Sequence, residues 1–412
     1  MLRSLKLVGV GPAPEMEMEF GSRINVMTGD NGLGKSFVLD VIWWALSGTW
    51  AGLPAWPRAE AEAASIEFQS DDGSFEKATF LTKPQTWLSE HVPSDNHILI
   101  YARVDGSVTI WDPSRTSRED WTSGSIYNFS ADDITNGIKA KEQVICRGLI
   151  EDWVTWQEKK LETPSGQAFL HLCRILETLS PNPEDGETIR PTPPARIFTS
   201  DARAFPTIDI GYGNIPIIHA SAGMRRIIGL AYLIVWTWHE HVEASRILKQ
   251  DPVKNIVFLM DEVENHLHPE WQRRILPALL KVLEGLNDGM QVQAHITTHA
   301  PMVLASLEPH WNDETDELFV FNLKEGRVVL NAEELVPRGD ASRWLTSHVF
   351  NLHMARSIEA ERAIDDAKAM MRGEEPQFHK TPEDIDKALH HTLPGQDPFW
   401  PRWLVFMEKP GA

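Results

Sequence analysis

Residues 29–36 read GDNGLGKS. They fit the pattern G-x-x-x-x-G-K-[ST], follow the strand-like RINVMT (23–28) and lead into SFVLDVIWWALSG (36–48), a helical run closed by Gly48. Strand, glycine-rich loop and helix in that order are what phosphate binding needs. Glycine tolerates positive φ, so consecutive backbone N–H groups can turn inward around an anion. The helix N-terminus adds the positive end of its dipole. Outside such a context the same letters are a glycine-rich turn that happens to carry Lys-Ser. Inside it they predict an ATP site formed by Asp30, Asn31, Gly32, Gly34, Lys35, Ser36 and Phe37. Lys35 is expected to reach the β- and γ-phosphates, and the Ser36 hydroxyl to hold Mg²⁺.

Three other stretches carry chemistry that fits such a site. IVFLMDEVENHLHP (256–269) is an apolar run that ends abruptly in Asp261, Glu262 and Glu264. A wholly apolar strand belongs in a parallel sheet covered on both faces, and such sheets bind ligands beyond the carboxyl ends of their strands. Asp261 is therefore expected to hold Mg²⁺ and Glu262 to act as general base toward water. ITTHAP (296–301) ends another apolar strand in His299, which is placed to donate to a γ-phosphate. HASAGMRR (219–226) offers Ser221 as a helix cap and Gly223 as a gap in side-chain bulk. Taken alone it is a capped core helix. Taken with the phosphate loop, which already has its own helix, it predicts a second anion-facing N-terminus that serves the other copy of a head-to-tail dimer.

The 412 residues are 42% hydrophobic, enough for one large domain or two smaller ones. A net charge of −20 argues against a surface that wraps nucleic acid or anionic lipid non-specifically, and leaves only a local basic groove open. Cys146 and Cys173 give neither a disulfide framework nor a zinc spacing, so a cytoplasmic location is expected. The start, MLRSLKLVGVGPAPE, lacks the pattern of a signal peptide. The apolar run IIGLAYLIVW (227–236) is about half of the ~20 residues that span a bilayer, so no membrane association is expected. The pattern divides the chain into a strand-rich segment 1–125 with the phosphate loop, a mostly helical insert with a Pro-rich loop at 126–214, a segment 215–336 with the remaining motifs, and a helical segment 337–412. In the last, Thr381 followed by Pro382, Glu383 and Asp384 opens a helix with Ile385, Ala388, Leu389 and Leu393 on one face. Ile364, Ala367 and Met371 form a second apolar stripe upstream.

The order GDNGLGKS, SAGMRR, IVFLMDEVENHLHP, ITTHAP resembles the ABC-type ATPases of the RecF, SMC and OLD-like branch. The wording DEVENHLHP and TTHAP is most similar to OLD-like ATPases of bacterial anti-phage systems, the Septu type among them. The resemblance covers about residues 1–50 and 215–330. It implies an α/β P-loop NTPase, an ABC-type head of the RecF/SMC kind with a mixed sheet, a helical insert and a C-terminal helical segment. It makes 29–36 the Walker A loop and 259–262 the Walker B motif. Ser221, Ala222, Gly223 and Arg225 become a signature motif acting in trans, Glu264, Asn265 and His266 the D-loop, and His299 the switch histidine. SAGMRR departs from the Ser-Gly-Gly-Gln core of transporters, and the insert has no room for a long coiled-coil arm. A Q-loop glutamine is expected at Gln157, whose other reading is an exposed helix residue. The implied cofactors are ATP and Mg²⁺. The implied partners are a second copy of the chain, or a larger homo-oligomer, and a separately encoded effector such as a nuclease or other toxin. The segment after 336 is too short and helical for a Toprim nuclease, so no cleavage of nucleic acid by this chain is expected. The competing roles are DNA repair or recombination, with duplex DNA bound across the dimer, and the nucleotide-binding subunit of a transporter, against which the signature wording speaks.

Overall fold

The alternation of the first thirty residues folds into β1 (Leu2–Val8), β2 (Glu15–Glu19) and β3 (Ile24–Gly29). The Lys-Ser run opens α1 (Lys35–Ser47), which ends at Gly48 in a left-handed cap. The computed structural model describes residues 1–90, 93–115, 126–140, 142–211 and 213–408. Contacts divide the chain into two units, 1–341 and 342–412.

In the first unit, β1 and β2 join β4 (Ser65–Ser70), β5 (Phe75–Leu81) and β6 (Thr86–Leu88) in an antiparallel sheet of order β2-β1-β4-β5-β6. The chain continues through β7 (Ile98–Ala102), β8 (Val108–Trp111) and β9 (Ile126–Phe129). Then come α2 (Ala131–Asn136), β10 (Ile138–Ala140), β11 (Gln143–Cys146), α3 (Leu149–Glu158) and α4 (Pro164–Thr178). β12 (Arg190–Ala195), β13 (Phe205–Asp209) and β14 (Asn214–Pro216) form a small sheet before the long helix α5 (Ala222–Leu248). The unit finishes with β15 (Asn255–Met260), α6 (Pro269–Gln272), α7 (Ile275–Glu284), β16 (Gln291–Thr297), α8 (Pro301–Leu307), β17 (Asp316–Lys324) and β18 (Arg327–Glu333).

The main sheet has the order β18-β17-β3-β16-β15-β7-β8-β9. Its five central strands, β17 to β7, run parallel, and antiparallel strands flank them on both sides. The parallel strands are buried almost throughout, as a sheet covered on both faces requires. α1 lies in a core that joins the two sheets: Val38, Leu39, Ile42 and Trp43 pack with Leu5, Leu7, Tyr101, Val257 and Leu259. The carboxyl ends of β3, β16, β15 and β7 thus lie side by side.

Within the expected insert, 190–195 (RPTPPA), expected as loop, is an edge strand paired on one side only. Proline suits an edge, where one side needs no N–H donor. The expected boundary at 125 lies outside the described residues. His241 of α5 fixes that helix to the sheet. Its Nε2 accepts from the Val253 N–H at 3.0 Å, so Nδ1 carries the proton toward Asp112, 2.8 Å away.

His295 on β16 is different. It is fully buried, meets Phe20 edge-on at 4.7 Å, and neither ring nitrogen has a hydrogen-bond partner among the described residues. Burial, aided by the N-terminal ammonium, pushes its pKa down to about 3. The unfolded ring titrates near 6.5, so its unfolded form takes up the proton first as pH falls. The stability that the neutral ring contributes is therefore full above pH 6.5 and is lost between 6.5 and 3, at a rate on the order of 1 kcal/mol per pH unit. Thermal midpoints recorded from pH 8 to 4.5 are expected to fall more steeply below 6.5 in the native chain than in His295→Leu. Parallel slopes would remove His295 as a cause.

The second unit contains α10 (Ile358–Met371), α11 (Pro382–Thr392) and α12 (Trp400–Met407), with α9 (Ala341–Leu345) straddling the division. Ala363, Ile364, Ala367, Ile385, Leu389 and Trp403 make its core. Thr381 caps α11 by accepting from the Asp384 N–H at 3.1 Å. The Asp366 carboxylate accepts the backbone N–H groups of Gln377, Phe378 and His379, which fixes the link between the two helices. No helix among the described residues is long and apolar enough to cross a membrane.

Candidate functional site

The glycine-rich loop leaves β3 and enters α1 through Gly34 at φ 91°. A β-carbon there would stand 2.6 Å from Pro12 Cγ, so both conformation and space call for glycine. Lys35 is 5% exposed and donates to the carbonyls of Gly29 (2.9 Å) and Asp30 (2.8 Å) within its own loop. Burial pushes its pKa down to about 8, against the pull of Asp261, Glu262, Asp30 and Glu264. Such an ammonium gains from an arriving anion, which supplies the charge the loop lacks. Asp30, Asn31, Gly32 and Ser36 are exposed around it, and Phe37 is half-buried.

Asp261 follows β15 directly. Its N–H donates to the Ala102 carbonyl (2.9 Å), and its carboxylate, on a residue 4% exposed, accepts the Thr297 hydroxyl at 2.6 Å. That same hydroxyl oxygen accepts the Glu262 N–H at 2.7 Å. Thr297 therefore locks the tip of β15 to the tip of β16. Glu262 sits at φ 47°, a conformation unusual for a non-glycine residue and a feature that clusters at functional sites. Its Oε1 stands 4.0 Å from Nε2 of His299. Burial and Lys35 lower the His299 pKa, so the ring is neutral at pH 7. Glu264 braces this turn: it accepts the Thr298 hydroxyl at 2.8 Å and the His299 backbone N–H. A carboxylate and a hydroxyl, Asp261 and Ser36, are the hard oxygen ligands that suit Mg²⁺.

The structure thus gathers Lys35, Asp261, Glu262, Glu264 and His299. The 219–226 stretch lies against the same turn, through Gly223 and Arg226. Ser221 caps α5 by accepting from the Met224 N–H (3.3 Å), Arg225 donates to the Ile218 carbonyl (3.2 Å), and Ser221, Ala222 and Arg225 are exposed. Gly223 is buried, and a β-carbon there would come 2.5 Å from the His266 carbonyl oxygen. His266 itself has φ 61°. Asn265 donates to the Val104 carbonyl at 2.9 Å.

Gln157 is not brought to this cluster. It lies on α3, accepts from Trp153 Nε1 (3.1 Å) and donates to the Thr192 carbonyl (3.1 Å), which anchors β12. Two residues outside the expected set do reach the site. Arg226 donates to the carbonyls of Asp261 (3.1 Å), Glu262 (3.2 Å) and Asn265 (3.0 Å), and so holds the backbone that carries the acids. Arg103, one residue past β7, lies 3.7 Å from Asp40 of α1 and over the Tyr101 ring at 4.8 Å. The signal for Arg103 was the one that flagged Asp261: a charge at the end of a wholly apolar strand.

A family model described as an AAA ATPase domain matches residues 131–304, and one described as an AAA domain matches 4–143. A curated relative, the Retron Ec83 probable ATPase of Escherichia coli, is 29% identical over 96 residues, which are 23% of this chain and 15% of that protein. Among solved structures the chain is similar to the SMC head domain from Thermotoga maritima (TM-score 0.38, 15% identity, 81% of this chain and 99% of that one). It is also similar to the recombination mediator protein RecF of the RecFOR pathway (TM-score 0.36, 14% identity, 80% and 98%). The phosphate loop and the strand order make an α/β P-loop NTPase fold, and the two family matches support ATP binding and ATPase activity in general terms.

Proposed function

We propose that the chain binds ATP with Mg²⁺ at residues 29–36 and hydrolyses it. The observation that carries this is the convergence of Lys35, Asp261, Glu262 and His299 at adjacent strand ends, with Glu262 and His299 4.0 Å apart. Lys35 leaves the Gly29 and Asp30 carbonyls for the β- and γ-phosphates. Ser36 and Asp261 would hold the metal, which would supply charge neutralisation on the phosphates. Glu262 takes the proton of the attacking water as its oxygen bonds to the γ-phosphorus and the bond from that phosphorus to the bridging oxygen breaks, ADP leaving with the electron pair, while neutral His299 donates to the γ-phosphate. Arg226 and Thr297 keep the Glu262 backbone in place while this happens. Lys35→Ala is expected to lose Mg-ATP affinity by about tenfold or more, the size of a charged contact of 1.4 kcal/mol or above. Calorimetric titration that gives unchanged affinity would refute this assignment.

The exposed Ser221, Ala222 and Arg225 serve the nucleotide of a second copy, so that ATP closes a dimer and hydrolysis opens it. In this reading the ATPase is the sensor or regulator of an anti-phage system, and a separately encoded effector is released or activated by the opening. The local match to a retron ATPase supports the defence role.

A further inference from the structure

The second unit brings together metal-binding donors that the candidate ATP site does not use. His353, Glu361 and Asp365 each offer one donor atom, and the three atoms lie within 4.8 Å of one another. Glu361 and Asp365 stand one turn apart on α10, and so share a face of one helix. His353 lies just ahead of that helix, on a stretch that is anchored. Met354 packs against the core of the unit, Arg356 pairs with the buried Asp397, and Ser357 caps α10 by accepting from the Ala360 N–H at 3.2 Å. His353 Nε2 stands 3.1 Å from Asp365 Oδ2. The half-buried Glu361 carboxylate has no hydrogen bond or ion pair among the described residues. Two carboxylates at i and i+4 repel, and a cation between them removes that cost. The arginines nearby are engaged elsewhere: Arg362 lies over the Phe378 ring at 4.7 Å, and Arg372 pairs with Glu374. Lys368 does reach the cluster, 3.5 Å from Asp365 Oδ1, in a half-exposed contact of little worth.

The geometry points to a metal site here, in which His353 Nε2 and the carboxylates of Glu361 and Asp365 hold a divalent transition-metal ion, Zn²⁺ by preference. A tetrahedral ion with bonds of about 2.0–2.2 Å needs its donors roughly 3.3–3.6 Å apart. His353 and Asp365 are already that close, and a turn of the Glu361 side chain closes the set. An imidazole donor favours Zn²⁺ over Mg²⁺ and Ca²⁺, which take oxygen ligands. Three protein donors leave a fourth position for water or an outside ligand. The ion ties the stretch ahead of α10 to the helix itself, and so stabilises the second unit. The site stands apart from the ATPase reading, since it shares no residue with the cluster at the strand ends.

The test is calorimetric titration of Zn²⁺ into the chelator-treated full chain without nucleotide. His353→Asn and Glu361→Gln should each weaken one saturable site by about 100-fold or more, since groups that only orient a metal ligand already cost about 10–100-fold. Lys368→Met frees Asp365 and should tighten the same site. The site should persist in a Glu262→Gln/His299→Ala chain, in which the strand-end cluster is disarmed. Saturating Zn²⁺ should raise the thermal midpoint of the native chain and leave that of His353→Asn unmoved. Without metal the two midpoints should agree, because His353 is exposed. Co²⁺ in place of Zn²⁺ should give visible absorption bands that His353→Asn loses. Absence of Zn²⁺ binding, or native affinity in both His353→Asn and Glu361→Gln, would overturn the site. Mg²⁺ bound as tightly as Zn²⁺ would overturn the choice of ion and with it the part of the imidazole.

Discussion

Glu262→Gln is expected to retain Mg-ATP binding and to lose turnover by about 10²–10⁴-fold, the range of a positioned general base. At 1.36 kcal/mol per decade this is roughly 3–5 kcal/mol of barrier. The amide keeps the size and the backbone bonds of the glutamate: its N–H still reaches Thr297 Oγ1, and its carbonyl still accepts from Arg226. What it loses is the ability to take a proton. Glu264→Gln makes the right control. Glu264 is a hydrogen-bond acceptor for Thr298 and the His299 N–H, and a glutamine carbonyl replaces part of that function. Its effect should be smaller and should be visible in thermal stability as well as in rate. Single-turnover and steady-state measurements on both variants decide the matter. Near-native turnover in Glu262→Gln would end its role as base.

Why Glu262 was legible in sequence and Gln157 was not is a matter of range. The phosphate loop, the acids after β15 and the histidine after β16 each follow an apolar strand. Strand ends in a parallel sheet converge whatever the rest of the chain does. Lys35, Asp261, Glu262 and His299 needed only that rule. Gln157 was sought on a helix, where no rule fixes a side chain relative to a strand end, and it anchors Thr192 instead. Arg103 also follows a wholly apolar strand, 98–102, and the same rule applies to it. The strand at 190–195 was hidden by Pro191, Pro193 and Pro194, which break a central strand but not an edge. Contacts between distant segments, such as Gly223 against His266, leave no local pattern at all.

That last contact changes how the dimer must be tested. A bulky residue at Gly223 would seem to block a partner's nucleotide, but its β-carbon would first strike the His266 carbonyl of its own chain at 2.5 Å. Loss of association in Gly223→Leu would then follow from a displaced turn, with Asn265, Glu262 and their Arg226 bonds displaced too. Ser221 is the cleaner position. It is exposed, and its described bond is the cap it accepts from the Met224 N–H, worth about 1 kcal/mol. Ser221→Ala measures the cap alone, and Ser221→Arg adds bulk where the partner's phosphates would lie. In the Glu262→Gln background, ATP should convert the chain to a dimer by light scattering. Ser221→Arg should abolish that dimer, while calorimetry finds Mg-ATP binding to the monomer unchanged and Ser221→Ala still associates. The trans arrangement fails if the Arg variant dimerises as the parent does, or if the parent stays monomeric with ATP bound.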